Sequence, residues 1–110
     1  VSSHLGAMEA LVKLLEDAEA GVRRSAADVL GELGGAAVSS HPGAMEALVK
    51  RLEDPKAGVR WSAAEALGRM GEAAASGQAG AVEALVKRLT DEDVDVRVRV
   101  AAVLGRLDGA

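Results

Sequence analysis

Two histidines, seven serines and several adjacent carboxylates are the residues of this chain that could do chemistry. His4 and His41 close matching stretches, Val1-Ser2-Ser3-His4 and Val38-Ser39-Ser40-His41, and Gln78 holds the third equivalent place. Two imidazoles in matching positions suggest a metal pair. Packed helices stand roughly 10 Å apart, however, which is too far for one shared ion. No Cys exists, and no carboxylate is placed to complete a ligand set. The serines have no base at a suggestive spacing. Glu16-Asp17 reads as a solvated helix end rather than an acid–base pair. The glycines are dispersed as helix breakers and do not form a phosphate-cradling loop after a strand. No catalytic residue, metal site or cofactor is therefore expected. Recognition chemistry remains, carried by the arginines and by Trp61, the sole aromatic residue.

The scaffold that positions these groups is repetitive. Met8-Glu9-Ala10-Leu11-Val12-Lys13 recurs as Met45 to Lys50 and, with Val82 first, as Val82 to Lys87. Val22-Arg23 recurs as Val59-Arg60 and Val96-Arg97, always 37 positions on. A fixed period of this length indicates a solenoid, in which each unit buries its apolar face by stacking on a neighbour. The expected organisation is one domain, 1–110, with units at 1–37, 38–74 and 75–110.

Each unit reads as two helices. In the first, Met8, Leu11, Val12 and Leu15 share one face at helical spacing. Glu9/Lys13, Glu46/Lys50 and Glu83/Lys87 are four apart in the favourable order. Pro42 fits a first helical turn, with Ser40 or His41 as its cap. The second helix is expected from about Val22 to Leu33, with an apolar stripe of Val22, Ala26, Val29, Leu30 and Leu33. Ala27 and Gly31 flank that stripe and are repeated without change as Ala64/Ala101 and Gly68/Gly105. A glycine inside a helix costs about 1 kcal/mol relative to Ala, so its recurrence predicts close approach of a neighbouring helix. Gly34-Gly35 and Gly71 end the helix.

Val22-Arg23-x-x-Ala26-Ala27-x-x-Leu30-Gly31-x-Leu33 and Leu48-Val49-x-x-Leu52-x-Asp54 resemble HEAT-like repeats, in the short form of phycobilisome-lyase-type and artificial HEAT-like proteins. The resemblance spans the chain in three copies. It implies an all-α fold, a right-handed α-solenoid of three two-helix repeats, whose second helices line a concave partner-binding surface. It also implies a ladder between adjacent units from a turn Asp to the Arg that opens the second helix. Here those residues are Asp17, Asp54 and Asp91, and Arg23, Arg60 and Arg97. A charge-assisted bond across a partly buried seam would restrain the stacking. The 37-residue unit exceeds the most compact members, with the excess in 34–41. HEAT-like iron hydroxylases carry His-Glu dipeptides, and none occurs here.

Unit identity separates scaffold from surface. Units one and two agree at 27 of 37 positions. On the second helix the varied columns lie opposite the stripe: Arg24/Trp61/Val98, Ser25/Ser62/Arg99, Asp28/Glu65/Ala102 and Glu32/Arg69/Arg106. Diversity on one rigid face suits a binding surface, although exposed positions also drift when nothing constrains them. Trp is favoured at binding hot spots, so Trp61, with Val98 beside it, is the expected anchor for a protein or peptide. Arg69, Arg99 and Arg106 place positive charge at one end of this face, with Asp28, Glu32 and Glu65 at the other. A nucleic-acid groove would be basic throughout and carry stacking aromatics, and the net charge is −4. Nucleic acid is therefore not the expected partner.

No apolar run approaches the roughly 18 residues of a membrane span, and no signal peptide is visible. Together with the lack of Cys, this favours an intracellular setting. The chain starts and stops at unit boundaries and reads as an excised segment or a designed chain. Neither end carries the polar capping unit usual in solenoids, so end-to-end self-association is expected. Val94-Asp95-Val96-Arg97-Val98-Arg99-Val100 alternates like a strand, but its alignment with the other units places it at a turn and the start of a helix that would be weak. The reading that best fits these observations is a non-catalytic protein-interaction scaffold. The alternatives are an accessory module or subunit of a larger enzyme, of the lyase type, and an engineered or consensus repeat without a natural ligand.

Overall fold

The computed structural model describes residues 2–41, 43–76 and 78–109. Helices account for most of these residues, and none of the described residues is in a strand. In chain order the helices are α1 Ser2–Leu14, α2 Ala20–Leu33, α3 Gly35–Ser39, α4 Ala44–Lys50, α5 Ala57–Met70, α6 Glu72–Ala75, α7 Ala81–Lys87 and α8 Val94–Gly109. Single 3-10 turns extend α4 through Glu53 and α7 through Thr90. The long helices α2, α5 and α8 stack side by side with α5 in the middle, and the molecule measures 39 × 32 × 18 Å.

Each long helix begins at an Asp-initiated turn. Asp17, Asp54 and Asp91 accept a hydrogen bond from the backbone N–H two residues on, at 2.9, 3.0 and 2.9 Å. The helix starts three residues after the Asp in every unit. Gly34 (φ +91°) and Gly71 (φ +55°) then end α2 and α5, using backbone conformations that a side chain disfavours.

The segment between units is itself helical. Gly35–Ser39 and Glu72–Ala75 form short third helices, buried through Val38 and Ala74, and this is where the longer repeat period is accommodated. Capping also differs from expectation. Gly43 (φ +82°) holds the N-terminal position of α4, with no side-chain cap. Ser40 instead donates its hydroxyl to the Ala37 carbonyl at 2.8 Å. Pro42 lies outside the described residues. In the first unit Leu5 replaces that proline, and α1 runs unbroken through Gly6.

Burial follows position in the stack as well as residue type. The buried side of α2 is Arg23, Ala26, Ala27, Leu30 and Gly31. Val29 and Leu33 of the expected stripe are 38% and 48% exposed, and Val22 is half-buried. Their counterparts in α5, Val59, Ala66 and Met70, and in α8, Val96, Val103 and Leu107, are buried. The reason is directional, because these columns face the preceding repeat. Ala66 lies against Gly31, and Val103 lies against Gly68. A Cβ added to either glycine would come within 2.9 Å of them. The recurrent glycine is therefore the socket for the next repeat's helix.

The same seams carry buried ion pairs. Arg23 donates Nε and Nη2 to the two oxygens of Asp54, 31 residues on, at 2.7 and 3.0 Å. Arg60 repeats this on Asp91 at 2.8 and 3.0 Å. Arg51 and Arg88 add a third guanidinium bond to those carboxylates, at 3.1 and 3.2 Å. Burial alone would push the Asp54 and Asp91 carboxyls up. Hydrogen bonds from Arg23 and Arg60, with the backbone N–H bonds and nearby guanidinium charge, outweigh it and hold both below the usual carboxylate range. Asp17 and Arg97 belong to the same columns but lie on the outer faces of the first and third repeats.

The alternating segment Val94–Val100 is the first half of α8, the longest helix. Val96 and Val100 are fully buried against the stack, so burial of one helical face overrides β-branched propensity here.

Candidate partner-binding face

The face formed by α2, α5 and α8 collects most of the residues singled out from the sequence. Arg24, Asp28, Glu32, Arg69, Val98 and Arg106 are exposed along it, with Val98 at 61%. Trp61, Glu65 and Arg99 are half-buried. Trp61 also packs partly against the core, so its indole is held rather than free to sweep. Arg99, the neighbour of the expected companion Val98, lies on the ring. Its guanidinium carbon is 4.8 Å from the ring centroid, an interaction of about 0.5–1 kcal/mol at such sites.

Glu65 organises the basic end of this face. Its carboxylate lies 3.2 Å from Arg99, 3.2 Å from Arg106 and 3.5 Å from Arg69. Glu65, expected at the acidic end with Asp28 and Glu32, thus lies beside those two residues and at the same time among three arginines. Arg106 reaches it by crossing α5 at Gly68, where its Nη2 lies 3.0 Å from the place a Cβ would occupy. The acidic half is left to Asp28, Glu32, Asp93 and Asp95.

Two clefts flank Trp61. One, of about 380 Å³, is lined by Arg24, Asp28, Gly58, Trp61, Asp93 and Asp95 among others. The second, of about 260 Å³, is lined by Asp28, Glu32, Trp61, Glu65, Ala66 and Arg69. Gly58 leaves room for Arg24, whose Nη1 would lie 3.5 Å from a Cβ there. Asp28, Glu32 and Asp95 have no ion-pair partner among the described residues, whereas Asp93 accepts from the Val96 N–H at 3.1 Å. Both clefts are thus bounded by an indole and by carboxylates.

Sequence reasoning missed Asp93 and Asp95. They belong to the turn and first helical residues of unit three, and they reach the face because each helix starts beside the first turns of the preceding one, as Gly58 does beside Arg24. The signal was present in the repeat, since Gly58 and Asp95 occupy one column. Ser62 departs in the other direction. It belongs to a varied column yet is 2% exposed, buried in the seam with α2.

Among the described residues, no group of three His, Cys, Asp or Glu side chains is arranged to hold a metal ion. His41 has a buried Nδ1 without a hydrogen-bond partner. The side chains of His4 and Gln78 lie outside the described residues. Among the described residues, no helix is long and apolar enough to cross a membrane.

Comparison with known proteins places this geometry. No curated protein matches the chain. An engineered protein of known structure is similar at TM-score 0.76 and 34% identity, over 90% of this chain and 44% of its own. A second engineered protein gives 0.73 and 34%, over 90% and 26%. A designed armadillo repeat protein, solved in complex with the peptide (KR)4, gives 0.80 and 28%, over 93% and 47%. The chain thus spans less than half the length of each. The family model for HEAT repeats matches residues 8–105. With three stacked helical units joined through glycine sockets and Arg–Asp seams, the chain belongs to the HEAT repeat family and is an α-solenoid.

Proposed function

We propose that this chain is a non-catalytic scaffold that binds a protein or peptide segment along the surface of its second helices, the concave surface in this family. Trp61 is the anchor in this reading. The observation that carries it is the placement of the sole aromatic side chain between two clefts bordered by Asp28, Glu32 and Asp95, which have no ion-pair partner among the described residues. A rigid amphipathic ring in a partly desolvated position is the usual form of an interface hot spot. The favoured partner is an extended segment with Lys or Arg side chains, whose charges Asp28, Glu32, Asp93 and Asp95 would accept. Arg69, Arg99 and Arg106 would orient it, by favouring an acidic group or terminal carboxylate at the α8 end. HEAT and armadillo-like solenoids commonly mediate protein interactions, and the similar designed armadillo protein binds a peptide of Lys and Arg.

The test uses Trp61 as its own reporter. Titration with an alternating Lys/Arg peptide is expected to shift its fluorescence, with an affinity that falls as salt rises. Trp61→Ala, followed by calorimetry, is expected to weaken binding about tenfold or more. Equal binding of a Glu-rich peptide, or an affinity unchanged by Trp61→Ala, would remove this reading.

A further inference from the structure

The outer faces of the stack carry the two halves of an unmade seam. On the α8 face, Gly105 has nothing within 4 Å of the place its Cβ would occupy, whereas Gly31 and Gly68 are filled by Ala66 and Val103. Around it, Val86, Leu104, Gly105 and Leu107, with Asp108, line a mainly apolar cleft of about 620 Å³. Arg97 keeps the inward bond of its column, donating Nη1 to the Asp91 carbonyl at 2.7 Å, as Arg23 and Arg60 do to Asp17 and Asp54 at 2.7 Å. The fork that those two arginines place on an aspartate has no acceptor among the described residues.

The α2 face supplies what is missing. Val29 and Leu33 are exposed, although their counterparts in α5 and α8 are buried, Ala66 and Val103 in glycine sockets. Asp17 is already held in the turn that presents Asp54 and Asp91 to their arginines.

We infer that a second copy of this chain docks head to tail on the α8 face, its Asp17 accepting Arg97 and its Val29 filling the Gly105 socket. The register argues for this occupant. Continuing the 37-residue period past α8 brings Asp17 of the second copy to the position of Asp54 and Asp91, and its Val29 to that of Ala66 and Val103. Charge, shape and spacing therefore agree at once. The contact is heterologous, with different surfaces on the two copies, so it does not close on itself and generates open chains.

Sedimentation equilibrium over about a hundredfold range of concentration tests this, because association of this kind responds to concentration by mass action. The expected result is a mean mass that climbs without levelling at a dimer. Val29→Lys and Gly105→Leu act on opposite faces, and each is expected to weaken association about tenfold or more. Val98→Lys, on the partner-binding face, should leave it unchanged. Arg97→Asp and Asp17→Arg are each expected to disperse the chains, and an equimolar mixture of the two variants to restore association. Circular dichroism verifies that each variant is folded. A concentration-independent monomer mass would overturn the inference. So would a dimer plateau sensitive to Val29→Lys but not to Gly105→Leu, which indicates pairing of two α2 faces.

Discussion

The seams inside the stack and the faces at its ends are built from the same columns of sequence but differ in what those columns do. In the seams, Leu30 and Leu67 are fully buried, Gly31 and Gly68 are occupied sockets, and Arg23 and Arg60 each place a two-pronged fork on an aspartate. On the outer face of α8, Leu104 is half-buried, Gly105 is open and Arg97 is exposed. Ala27 and Ala64 are inaccessible, whereas Ala101 is exposed. Residue identity is held constant in these comparisons, so the difference isolates what a neighbour contributes. In a solenoid, much of the stability resides in the interface between units rather than in the unit.

The largest effect should come from the core column. Leu67→Ala is expected to cost about 3 kcal/mol in chemical denaturation, as full burial leaves a cavity that closes poorly. Leu104→Ala, in the same column but half-buried, should cost less than half as much. Equal costs would mean that the neighbour adds nothing to this column.

Next comes the ion-pair column. Asp91→Ala removes the acceptor of a buried Arg60, and loss of one partner from such a pair costs about 3 kcal/mol. Asp17→Ala, which lacks an arginine partner in the single chain, is expected to cost under about 1 kcal/mol. The same chemistry sets the pH response. Asp54 and Asp91 have folded-state pKa values below the ordinary 3.8, so their contribution is complete above that value and is lost as pH falls through the folded values. Thermal unfolding should therefore vary little with these groups near neutrality and fall steeply in acid below about pH 4. Replacing both residues by Asn should lower the whole curve and flatten its acid limb.

The glycine column gives the smallest effects but opposite signs. Gly31→Ala adds a Cβ 2.9 Å from the Ala66 Cα, a backbone atom that cannot rotate away. A net loss of about 1–2 kcal/mol is expected after the gain in helix propensity. Gly105→Ala meets nothing and should stabilise the dissociated chain by up to about 1 kcal/mol. Measured at concentrations low enough to avoid association, the same sign at both positions would contradict the socket.

Much of the scaffold could be read without coordinates. The period announced a repeat, and the glycine column announced a close approach. The Asp and Arg columns were visible, and the resemblance implied a ladder between adjacent units; its direction came from the coordinates, in which Arg23 bonds only the carbonyl of Asp17 in its own unit and reaches the carboxylate of the next. The candidate face was less legible. A wheel drawn on one helix could not place Glu65 among arginines from two helices, nor bring Asp93 and Asp95 beside Trp61. It also assigned Val29 and Leu33 to a buried stripe, since it assumes a neighbour on every side. Helical spacing records which residues share a face, but not which faces are covered.

Periodicity and composition alone decide that this is a helical stack of three units, because repeated apolar columns at helical spacing can be buried only by stacking. They also decide which residues can vary, since the repeated columns declare their own constraint. Tertiary packing alone decides that Arg99 lies on Trp61, that Glu65 gathers three guanidiniums, and that one glycine column is filled twice and left open once. Those outcomes depend on contacts between helices more than 30 residues apart in sequence, and on whether a neighbour is present to make them.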